Sequence, residues 1–439
     1  MYRVYGALLA LAWAAVVPCQ MLMSFLQRAR PLPLRERLGF LPDDVLTGGF
    51  WMHAVSVGEM RLALRILPEL RRRFPGAPVH VSTGTPTGRA LATAGAGGPP
   101  PESIGALPFD LPFAMGRLLD RLRPRAVLIV ETEIWPNLLR LCAKRGVPVL
   151  LVNGRISSRS FPRYRALRGF VGRALPGFRT LGMQSRDDAD RVISLGAPAD
   201  RVVVTGNLKF DLEPPRVDPV ALRRRLGVEE TAPLFVAGST AAGEEAPVLQ
   251  AFRALRAAHP RARLVLAPRH PENFGAAERT ARDAGHAVLA WSRLAERTAD
   301  SPSSGAWEVL VLDRLGVLPE VYAAADLVFV GGSLVPRGGQ NVLEPAALGK
   351  PVLFGPLTDN FRAASEALVS AGAGFVARDG EELGRLLVRL LDDRAGYRVA
   401  STMARRVVET NRGALLKTMT LIEEALSPGG SMTLRAART

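Results

Sequence analysis

The regular alternation of short apolar runs with amphipathic segments constrains the fold of this chain more than any other feature. The amphipathic segments, such as Met60–Arg73, Arg117–Arg123, Pro136–Arg145 and Ala246–Ala257, have the spacing of helices. The apolar runs between them are candidate strands: Phe50–Val55, Pro78–Ser82, Ala126–Val130, Val147–Val152, Arg201–Thr205, Leu234–Ala237, Arg263–Ala267, Val309–Leu312, Leu327–Val330 and Pro351–Phe354. Strands that alternate with helices predict parallel sheets covered by helices on both faces.

The alternation is interrupted once, at Glu213–Pro219 (EPPRVDP), where adjacent prolines and acidic residues indicate an interdomain linker. A chain of 439 residues is long enough for two domains of ordinary size. The sequence therefore predicts two Rossmann-like, doubly wound domains with additions at the termini. Their predicted bounds are 1–28 for a membrane anchor, 29–212 and 230–400 for the two domains, 213–229 for the linker, 401–425 for a helix that crosses back to the first domain, and 426–439 for a disordered tail.

The N-terminal segment predicts membrane attachment. Val4–Gln27 carries no charge, and as a helix it would be about 36 Å long, enough to cross a bilayer. Arg3 precedes the segment and several arginines follow from Arg28 onward, so the positive-inside rule places the rest of the chain in the cytoplasm. A cleaved signal peptide is the alternative, but the run ends in bulky apolar residues and arginines instead of a small-residue cleavage site. Gly6 and Pro18 leave open whether the segment spans the membrane or lies in its interface.

The charge balance indicates an acidic partner. The net charge is +16, and only four of the 57 basic residues are lysines, namely Lys144, Lys209, Lys350 and Lys417. Anionic lipid head groups, a phosphorylated substrate or nucleic acid would each suit such a surface. Two cysteines, Cys19 and Cys142, provide no disulfide framework and are typical of buried thiols in a reducing compartment.

The segment Asp326–Gly355 predicts a nucleotide site. The buried strand Leu327–Val330 leads through a loop with four glycines to a predicted helix over Asn341–Leu348. Such a loop at a helix N-terminus can offer N–H groups to a phosphate. Glu344, expected about one turn into the helix, can accept the hydroxyls of a ribose. A glycine-rich turn that only connects two strands is the alternative interpretation.

Several charged residues follow other predicted strands. Glu59 ends HAVSVGE, where it either acts as a base toward a sugar hydroxyl or stabilises its own helix N-terminus; the motif alone favours the second role. Glu131 and Glu133 in VETEIWPN should share a strand face. Salt bridges to arginines are the ordinary explanation for these two carboxylates. Lys209 in GNLKF lies just past a further strand, at the domain boundary.

The second domain adds a phosphate-binding candidate. Arg269 in APRHPEN can bind a phosphate with two hydrogen bonds, whereas the neighbouring His270 is either a ligand or a residue packed at the edge. GSTAAGEE, Gly238–Glu245, is a strand-to-helix turn of the anion-binding type. The sequence has no His/Cys cluster with metal-ligand spacing, no Asp-x-Asp pair of the sort that holds a divalent ion, no P-loop and no G-x-S-x-G elbow, so no metal or cofactor is predicted.

Taken together, these strings resemble the 3-deoxy-D-manno-octulosonic acid (Kdo) transferases of lipopolysaccharide synthesis. They run in family order from the anchor to about residue 425. The matching strings are RERLGF (Arg35–Phe40), HAVSVGE, TPTGRA (Thr85–Ala90), PFDLPFAMGRLLDRLRP (Pro108–Pro124), VETEIWPN, LVNGRISSRS (Leu151–Ser160), GNLKFD, APRHPE, LDRLGVLPEVY (Leu312–Tyr322) and GGQNVLEPAALGKPVLFGP. Gly84 and Gly154 depart from the family pattern, at positions without a proposed catalytic role.

The resemblance implies a GT-B fold, with two Rossmann-like domains facing a cleft, and transfer of Kdo from CMP-Kdo to a lipid A precursor without a metal. It implies that Glu59 is the general base, and that Lys209 and one carboxylate of VETE, with Glu133 preferred over Glu131, stabilise the transition state. The residues implied in nucleotide binding are Pro268, Arg269, His270, Gly316, Val317, Leu318, Asn341, Val342, Leu343 and Glu344. The implied location is the cytoplasmic side of the inner membrane, among anionic lipids. The number of Kdo units transferred stays open.

Two other functions are compatible with parts of the sequence. Another GT-B transferase or an epimerase would use a different sugar nucleotide in the same fold. A membrane-tethered nucleic-acid-binding protein is suggested only by the charge of the chain, and the sequence has neither interleaved aromatics nor a recognisable nucleic-acid module. Nucleic acid is therefore not a predicted partner.

Overall fold

The computed structural model describes residues 5, 6, 9, 32–95, 98–294 and 307–427. The chain divides into two compact units, the first made of residues 1–211 and 412–439 and the second of residues 212–411. The predicted anchor, Val4–Gln27, lies outside the described residues except for Tyr5, Gly6 and Leu9, and the tail beyond residue 427 also lies outside them. Among the residues that the structure describes, no helix is both long and apolar enough to cross a membrane.

Unit 1 is built on a parallel sheet of seven strands in the order β3-β2-β1-β4-β5-β6-β7. The strands are β1 (Phe50–His53), β2 (Val79–Thr83), β3 (Ser103–Ala106), β4 (Ala126–Val130), β5 (Val149–Gly154), β6 (Thr180–Met183) and β7 (Val202–Val204). Both faces of the central strands are buried. Trp51 packs in one hydrophobic cluster with Ile129, whereas Met52 packs in another with Leu128. The direction of strand addition reverses between β1 and β4, which are neighbours.

The helices of unit 1 cover both faces of this sheet. They are α1 (Leu34–Arg37), α2 (Val57–Arg73), α3 (Pro86–Ala94), α4 (Pro112–Leu122), α5 (Pro136–Arg145), α6 (Phe161–Ala166), α7 (Arg168–Ala174), α8 (Arg186–Ser194) and the last helix of the chain, α18 (Ala414–Leu426). Met419 and Ile422 of α18 are fully buried in the same cluster as Met52, so this helix is part of the unit 1 core.

Unit 2 is built on a second parallel sheet of the same kind, except that β10 lies at the sheet edge, beyond β11. Its seven parallel strands follow the order β10-β11-β9-β8-β12-β13-β14, and the direction of addition reverses between β8 and β12. The strands are β8 (Leu234–Thr240), β9 (Arg263–Pro268), β10 (Val288–Ala290), β11 (Val309–Val311), β12 (Leu327–Val330), β13 (Val352–Phe354) and β14 (Gly374–Val376). The helices are α9 (Pro219–Leu226), α10 (Glu245–Ala258), α11 (Phe274–Asp283), α12 (Trp291–Leu294), α13 (Leu318–Ala324), α14 (Leu343–Ala347), α15 (Arg362–Ser370), α16 (Gly380–Asp392) and α17 (Arg394–Thr410).

The predicted strands all exist, within a few residues of their predicted bounds, and the doubly wound α/β fold is confirmed for each unit. The alternation did not reveal β3, β6, β10 and β14. These strands have three or four residues, and three of them contain glycine or polar residues, so they lack the apolar run that marks the central strands. Three of them, β3, β10 and β14, lie at a sheet edge, where a strand needs fewer apolar residues than a central strand that is buried on both faces.

Two predicted boundaries differ from the structure. Within the predicted linker, Pro219–Leu226 forms α9, whose Leu222 and Leu226 are buried and which packs against α13. The predicted C-terminal helical stretch is interrupted at Asn411–Gly413, so α17 belongs to unit 2 and only α18 belongs to unit 1. Gly413 has a φ of +96°, which ends the helical geometry between α17 and α18.

Candidate active site

Glu59 follows β1 and belongs to the first turn of α2. The hydroxyl of Ser56, the N-cap residue, accepts the Glu59 N–H at 3.3 Å and donates to Glu59 Oε1 at 2.9 Å. The Val55 N–H donates to Glu59 Oε2 at 2.7 Å. Glu59 therefore does stabilise the N-terminus of its own helix, because it holds the hydroxyl of the N-cap residue and the backbone N–H before it. Each carboxylate oxygen has two acceptor positions, and the contacts above use one position on each oxygen, so Glu59 can still accept a further proton donor. The residue is half-buried.

The two carboxylates after β4 do not share a strand face as predicted. The strand ends at Val130, and Glu131 adopts a φ of +59°, so the alternation of side chains stops there. Thr132 then fixes the turn, because its hydroxyl accepts the Arg155 N–H at 2.8 Å. Glu131 Oε1 lies 3.9 Å from the Nζ of Lys209. The contact between a VETE carboxylate and Lys209 is thus made by Glu131.

The sequence does not reveal that Lys209 lies close to Glu131. Lys209 follows β7, the edge strand, which is separated from β4 by β5 and β6. Two residues from other elements of unit 1, one on β5 and one on α2, hold the short 3-10 turn Leu208–Phe210. The Leu208 N–H donates to Oδ1 of Asn153 at the end of β5 (2.9 Å), and Arg65 of α2 donates to the Leu208 carbonyl (2.7 Å). The turn therefore lies over the carboxyl ends of the central strands.

Burial dominates the electrostatics of this group. It raises the pKa of Glu131 and lowers the pKa of Lys209, although each charge opposes the shift of the other. Burial, followed by the charge of Glu59, raises the pKa of Glu133 from 4.5 to about 7. A cluster of carboxylates and one lysine with perturbed pKa values at the carboxyl edge of a parallel sheet is typical of an active site.

Two aromatic side chains beside this edge, the buried His53 and the partly buried Trp135, were not selected from the sequence. Within the described residues, His53 Nε2 and Trp135 Nε1 are buried without a hydrogen-bond partner, and the two rings meet edge to face at 6.5 Å between centroids. Burial lowers the pKa of His53 to about 3, so its imidazole is neutral. Both residues belong to the strings HAVSVGE and VETEIWPN, which was the only signal that could have identified them.

In unit 2, the predicted nucleotide residues all lie at the carboxyl edge of the sheet. Pro268 is the last residue of β9, and Arg269 and His270 follow it; Gly316, Val317 and Leu318 follow β11; and Asn341, Val342, Leu343 and Glu344 follow β12. The Arg269 N–H is held by the Thr240 carbonyl at 2.9 Å, and its side chain is half-buried. His270 is exposed, which rules out the packed role considered for it.

The helix that carries Glu344 is shorter than predicted. Helix α14 spans only Leu343–Ala347, so Glu344 lies in its first turn instead of one turn further on. Asn341 Oδ1 accepts the Leu343 N–H at 3.1 Å, and Asn341 Nδ2 donates to Glu344 Oε1 at 2.9 Å. Pro345 and the Gly349 turn limit the helix to this length. Asn341 thus orients the carboxylate that is predicted to bind a ribose.

The glycine loop after β12 does not offer its N–H groups to a ligand as predicted. The N–H groups of Gly332, Ser333 and Leu334 donate to the carboxylate of Glu244. Those of Gly339 and Gln340 donate to the carbonyls of Gly332 and Gly331. In the predicted anion-binding turn GSTAAGEE, the N–H groups of Ala241 and Gly243 are likewise bound by Glu244 and Glu245. These N–H groups of both loops are therefore bound by carboxylates or carbonyls of the same chain.

Some other side chains with reactive groups contribute little to a site. Cys142 is buried, and burial raises the pKa of its thiol to about 12. Within the part of the chain that the structure describes, no group of three or more His, Cys, Asp or Glu side chains could hold a metal ion.

Comparison with known proteins identifies the family. Residues 33–212 match the sequence model of the family described as 3-Deoxy-D-manno-octulosonic-acid transferase (kdotransferase). The chain is 37% identical over 401 residues to the 3-deoxy-D-manno-octulosonic acid transferase of Bordetella pertussis, covering 89% of this chain and 90% of the relative. It is 32% identical over 404 residues to the enzyme of the same name from Haemophilus influenzae, covering 90% of this chain and 91% of that one.

Solved structures with little sequence similarity share the fold. The UDP-GlcNAc 2-epimerase from Neisseria meningitidis, bound to UDP-GlcNAc, superposes with a TM-score of 0.55 at 14% identity, over 84% of this chain and all of that one (100%). A glycosyltransferase from Rickettsia africae superposes with a TM-score of 0.53 at 14% identity, over 87% of this chain and 99% of that one. These neighbours agree with the predicted GT-B class for the two doubly wound units. From its match to the family over nearly all of its length, the chain belongs to the 3-deoxy-D-manno-octulosonic acid transferases, which are glycosyltransferases of lipopolysaccharide synthesis.

Proposed function

We propose that this Kdo transferase moves Kdo from CMP-Kdo to a lipid A precursor, lipid IVA, with inversion at the transferred carbon and with Glu59 as general base. The observation that carries the proposal is the group formed by Glu59, Glu131 and Lys209 at the carboxyl ends of β1 and β4. The proposed roles divide between the units: unit 1 activates the acceptor and unit 2 binds the nucleotide.

In the proposed reaction, Glu59 takes the proton from a sugar hydroxyl of the acceptor, and the freed oxygen attacks the anomeric carbon of Kdo. The bond from that carbon to the CMP phosphate breaks, and CMP leaves with the electron pair. Ser56 and the Val55 N–H hold the Glu59 carboxylate in place while its remaining acceptor positions meet the hydroxyl. Lys209 balances the developing negative charge, and Glu131 holds its ammonium group. Glu133, whose pKa is raised in part by the charge of Glu59, stays a predicted second carboxylate that stabilises the transition state.

For the donor, we infer that Glu344 accepts ribose hydroxyls and that Arg269 binds the phosphate. Asn341 supports the first role because it holds one oxygen of Glu344 and so fixes the direction of the carboxylate. Pro268, His270, the Gly316–Leu318 turn, Val342 and Leu343 complete the proposed nucleotide site along the same edge of the sheet. The reaction as proposed uses no metal, since Lys209 and Arg269 supply the positive charge.

We also propose that Val4–Gln27 attaches the enzyme to the inner membrane, with both units on the cytoplasmic side among anionic lipids. The acceptor is a lipid, which supports a location at that surface. Tyr5 and Leu9 at the start of this segment contact unit 1: the Tyr5 ring lies 5.2 Å from that of Phe170, and Leu9 packs on the cluster that contains Phe109. Flotation with anionic vesicles tests the attachment, and a chain without residues 1–27 that still floats as well as the full chain would refute it.

The reaction is tested by incubating the full chain with CMP-Kdo and lipid IVA and weighing the product. A mass increase by one or more Kdo units, with the opposite anomeric configuration to the donor by NMR, is the expected result; the mass also counts the units added. A parallel sample with EDTA should turn over equally fast. Turnover only with another sugar nucleotide would refute the donor, retention would refute the direct displacement, and loss of activity in EDTA with recovery in Mg²⁺ would refute the metal-free mechanism.

A further inference from the structure

Glu244 makes an unusual set of contacts for a charged residue. Its side chain is fully buried at the carboxyl end of β8, at the N-terminus of α10. Its Oε2 accepts the N–H groups of Ala241 (2.8 Å) and Gly332 (2.6 Å), and its Oε1 accepts those of Ser333 (2.9 Å) and Leu334 (2.8 Å). Four backbone donors thus surround one carboxylate, which removes the cost of burying its charge.

The segment that Glu244 holds, Gly331–Leu334, connects three neighbouring strands at this edge. It begins where β12 ends, and Glu244 ties it to the end of β8. The Ser333 hydroxyl accepts the Gly355 N–H at 2.8 Å, and the Ser333 carbonyl accepts the Leu357 N–H at 3.0 Å, which ties the same segment to the chain after β13. The carboxyl ends of β8, β12 and β13 are therefore joined through one buried carboxylate and one serine.

The close packing around Glu244 requires a glycine at position 331, and the backbone conformation favours one at position 332. A Cβ on Gly331 would lie 2.7 Å from Glu244 Oε2 and 2.5 Å from the Cα of Thr240, so no other residue fits without displacing the carboxylate or the backbone. Gly332 has a φ of +68°, and this conformation turns successive N–H groups toward one point. A loop of this shape is an anion-binding nest, and its anion is supplied by the chain itself.

The position of this nest links it to ligand binding. The direction of strand addition reverses between β8 and β12, and ligands of doubly wound sheets bind at the carboxyl ends of the strands at such a switch point. The segment continues through the loop to Asn341 and Glu344, since Gly339 and Gln340 donate their N–H groups to the carbonyls of Gly332 and Gly331. The backbone that Glu244 fixes thus supports the turn that carries Glu344, the residue predicted to bind the ribose.

We propose that Glu244 is a positioning residue for nucleotide binding: it fixes the Gly331–Leu334 segment, and through it the Asn341–Glu344 turn, in the conformation that receives the donor. It does not touch the donor, and it occupies the nest that would otherwise attract a phosphate. The phosphate is therefore bound by cationic side chains instead of by the loop. The identity of the nucleotide, CMP, follows from the proposed function; the fixing of the loop does not depend on it.

The first test is hydrogen exchange of the free protein, which needs no ligand. In Glu244→Gln the amide has one acceptor oxygen, and its NH₂ group faces N–H donors, so the nest loses part of its bonding. The amides of residues 332–334 should exchange at least about tenfold faster than in the unaltered protein, the worth of one hydrogen bond to a charged acceptor. Glu245→Gln is the matched control, because Glu245 is also buried but, among the described residues, accepts a hydrogen bond only from the Gly243 N–H. Equal exchange at 332–334 in both variants would overturn the proposal.

The second test is calorimetry with CMP, with steady-state kinetics as a further measurement. Glu244→Gln should bind CMP about tenfold or more weakly and raise the KM for the donor, with a smaller change in kcat, whereas Glu245→Gln should match the unaltered protein. A purely structural role would instead lower the amount of folded enzyme and leave the KM unchanged, and that result would overturn the proposal. If the unaltered protein did not bind CMP, the donor in the proposed function would be wrong, and the exchange measurement would still decide whether Glu244 holds the loop.

Ser333→Ala provides a second variant should Glu244→Gln not fold. It removes the hydroxyl that accepts the Gly355 N–H and donates to the Val330 carbonyl, and it leaves the carboxylate in place. Because it loosens the same segment at its other end, CMP should bind severalfold more weakly. Unchanged CMP affinity in Ser333→Ala would contradict the role of this segment in nucleotide binding.

Discussion

A glutamate lies at the same topological position at the carboxyl edge of each sheet, but the two glutamates differ in their burial and in their hydrogen bonds. Glu59 follows the strand next to the switch point of unit 1, and Glu244 follows the corresponding strand of unit 2. Glu59 is half-buried and accepts two hydrogen bonds, whereas Glu244 is fully buried and accepts four. A carboxylate with acceptor positions left can exchange a proton with a substrate, and a carboxylate whose positions are filled can only hold backbone. The number of donors around each carboxylate, and not its place in the topology, therefore separates the proposed chemical role of Glu59 from the proposed positioning role of Glu244.

The largest expected effect concerns Glu59, the proposed base in unit 1. Glu59→Gln should lower the rate by ~10²-fold or more, the usual contribution of a positioned general base, with CMP affinity nearly unchanged. Ser56→Ala is the control for the capping role, since it removes the N-cap hydroxyl at a cost of about 1 kcal/mol but keeps the carboxylate. If both variants lost stability equally and Glu59→Gln kept full activity, Glu59 would be a cap, and the contrast with Glu244 would disappear.

A similar or smaller loss is expected for the lysine of unit 1. Lys209→Met should slow turnover by roughly 10²-fold, because it removes the charge that we propose stabilises the leaving phosphate. Lys144→Met, an exposed lysine on α5, is the matched control and should be silent. Comparing Glu131→Gln with Glu133→Gln then decides which carboxylate supports Lys209. We expect the larger loss for Glu131→Gln because Glu131 makes the contact; a larger loss for Glu133→Gln would instead support the assignment made from the sequence.

In unit 2 the expected effects are on binding. Glu344→Ala and Arg269→Ala should each weaken CMP binding by ~1–3 kcal/mol, since the ribose hydroxyls or the phosphate lose a charged partner. Glu320→Ala, which removes an exposed glutamate from the first turn of α13, is the control for a helix N-terminus and should not change the affinity. Calorimetry that gives the same CMP affinity for all three variants would place the nucleotide elsewhere.

The smallest expected effect is a pH dependence of stability in unit 1. The pKa of Glu133 rises from 4.5 to about 7 in the folded chain, so the folded state keeps a proton that the unfolded state has lost between these values. The stability contributed by this group is complete below pH 4.5 and is lost as the pH rises to about 7. Glu133→Gln should remove that slope, which is at most ~1.4 kcal/mol per pH unit. Denaturation midpoints from pH 4.5 to 7.5 measure it, and an unchanged slope in Glu133→Gln would contradict a buried, protonated Glu133.

The positions of the chemical groups along the chain were predictable because each one follows an apolar strand. Glu59, Arg269 and Glu344 lie after β1, β9 and β12, and the carboxyl ends of parallel strands meet at one edge of a sheet. The distances between these groups were not predictable. The expectation that Glu131 and Glu133 share a face was wrong because a positive φ at Glu131 ends the strand geometry, and nothing in the local sequence marks that change.

The sequence by itself determined the alternation of strands and helices, the parallel sheets that follow from it, and the family to which the chain belongs. Apolar periodicity is a local property, and each buried strand records it in a few consecutive residues. Only the tertiary structure decided which groups meet. The strand order brings β1 beside β4, a turn held by Asn153 and Arg65 carries Lys209 from the edge strand to Glu131, and Glu244 takes the N–H groups that the glycine loop was expected to offer a phosphate. Such contacts join residues far apart in the chain, and a buried donor or acceptor takes whichever partner the fold brings within reach.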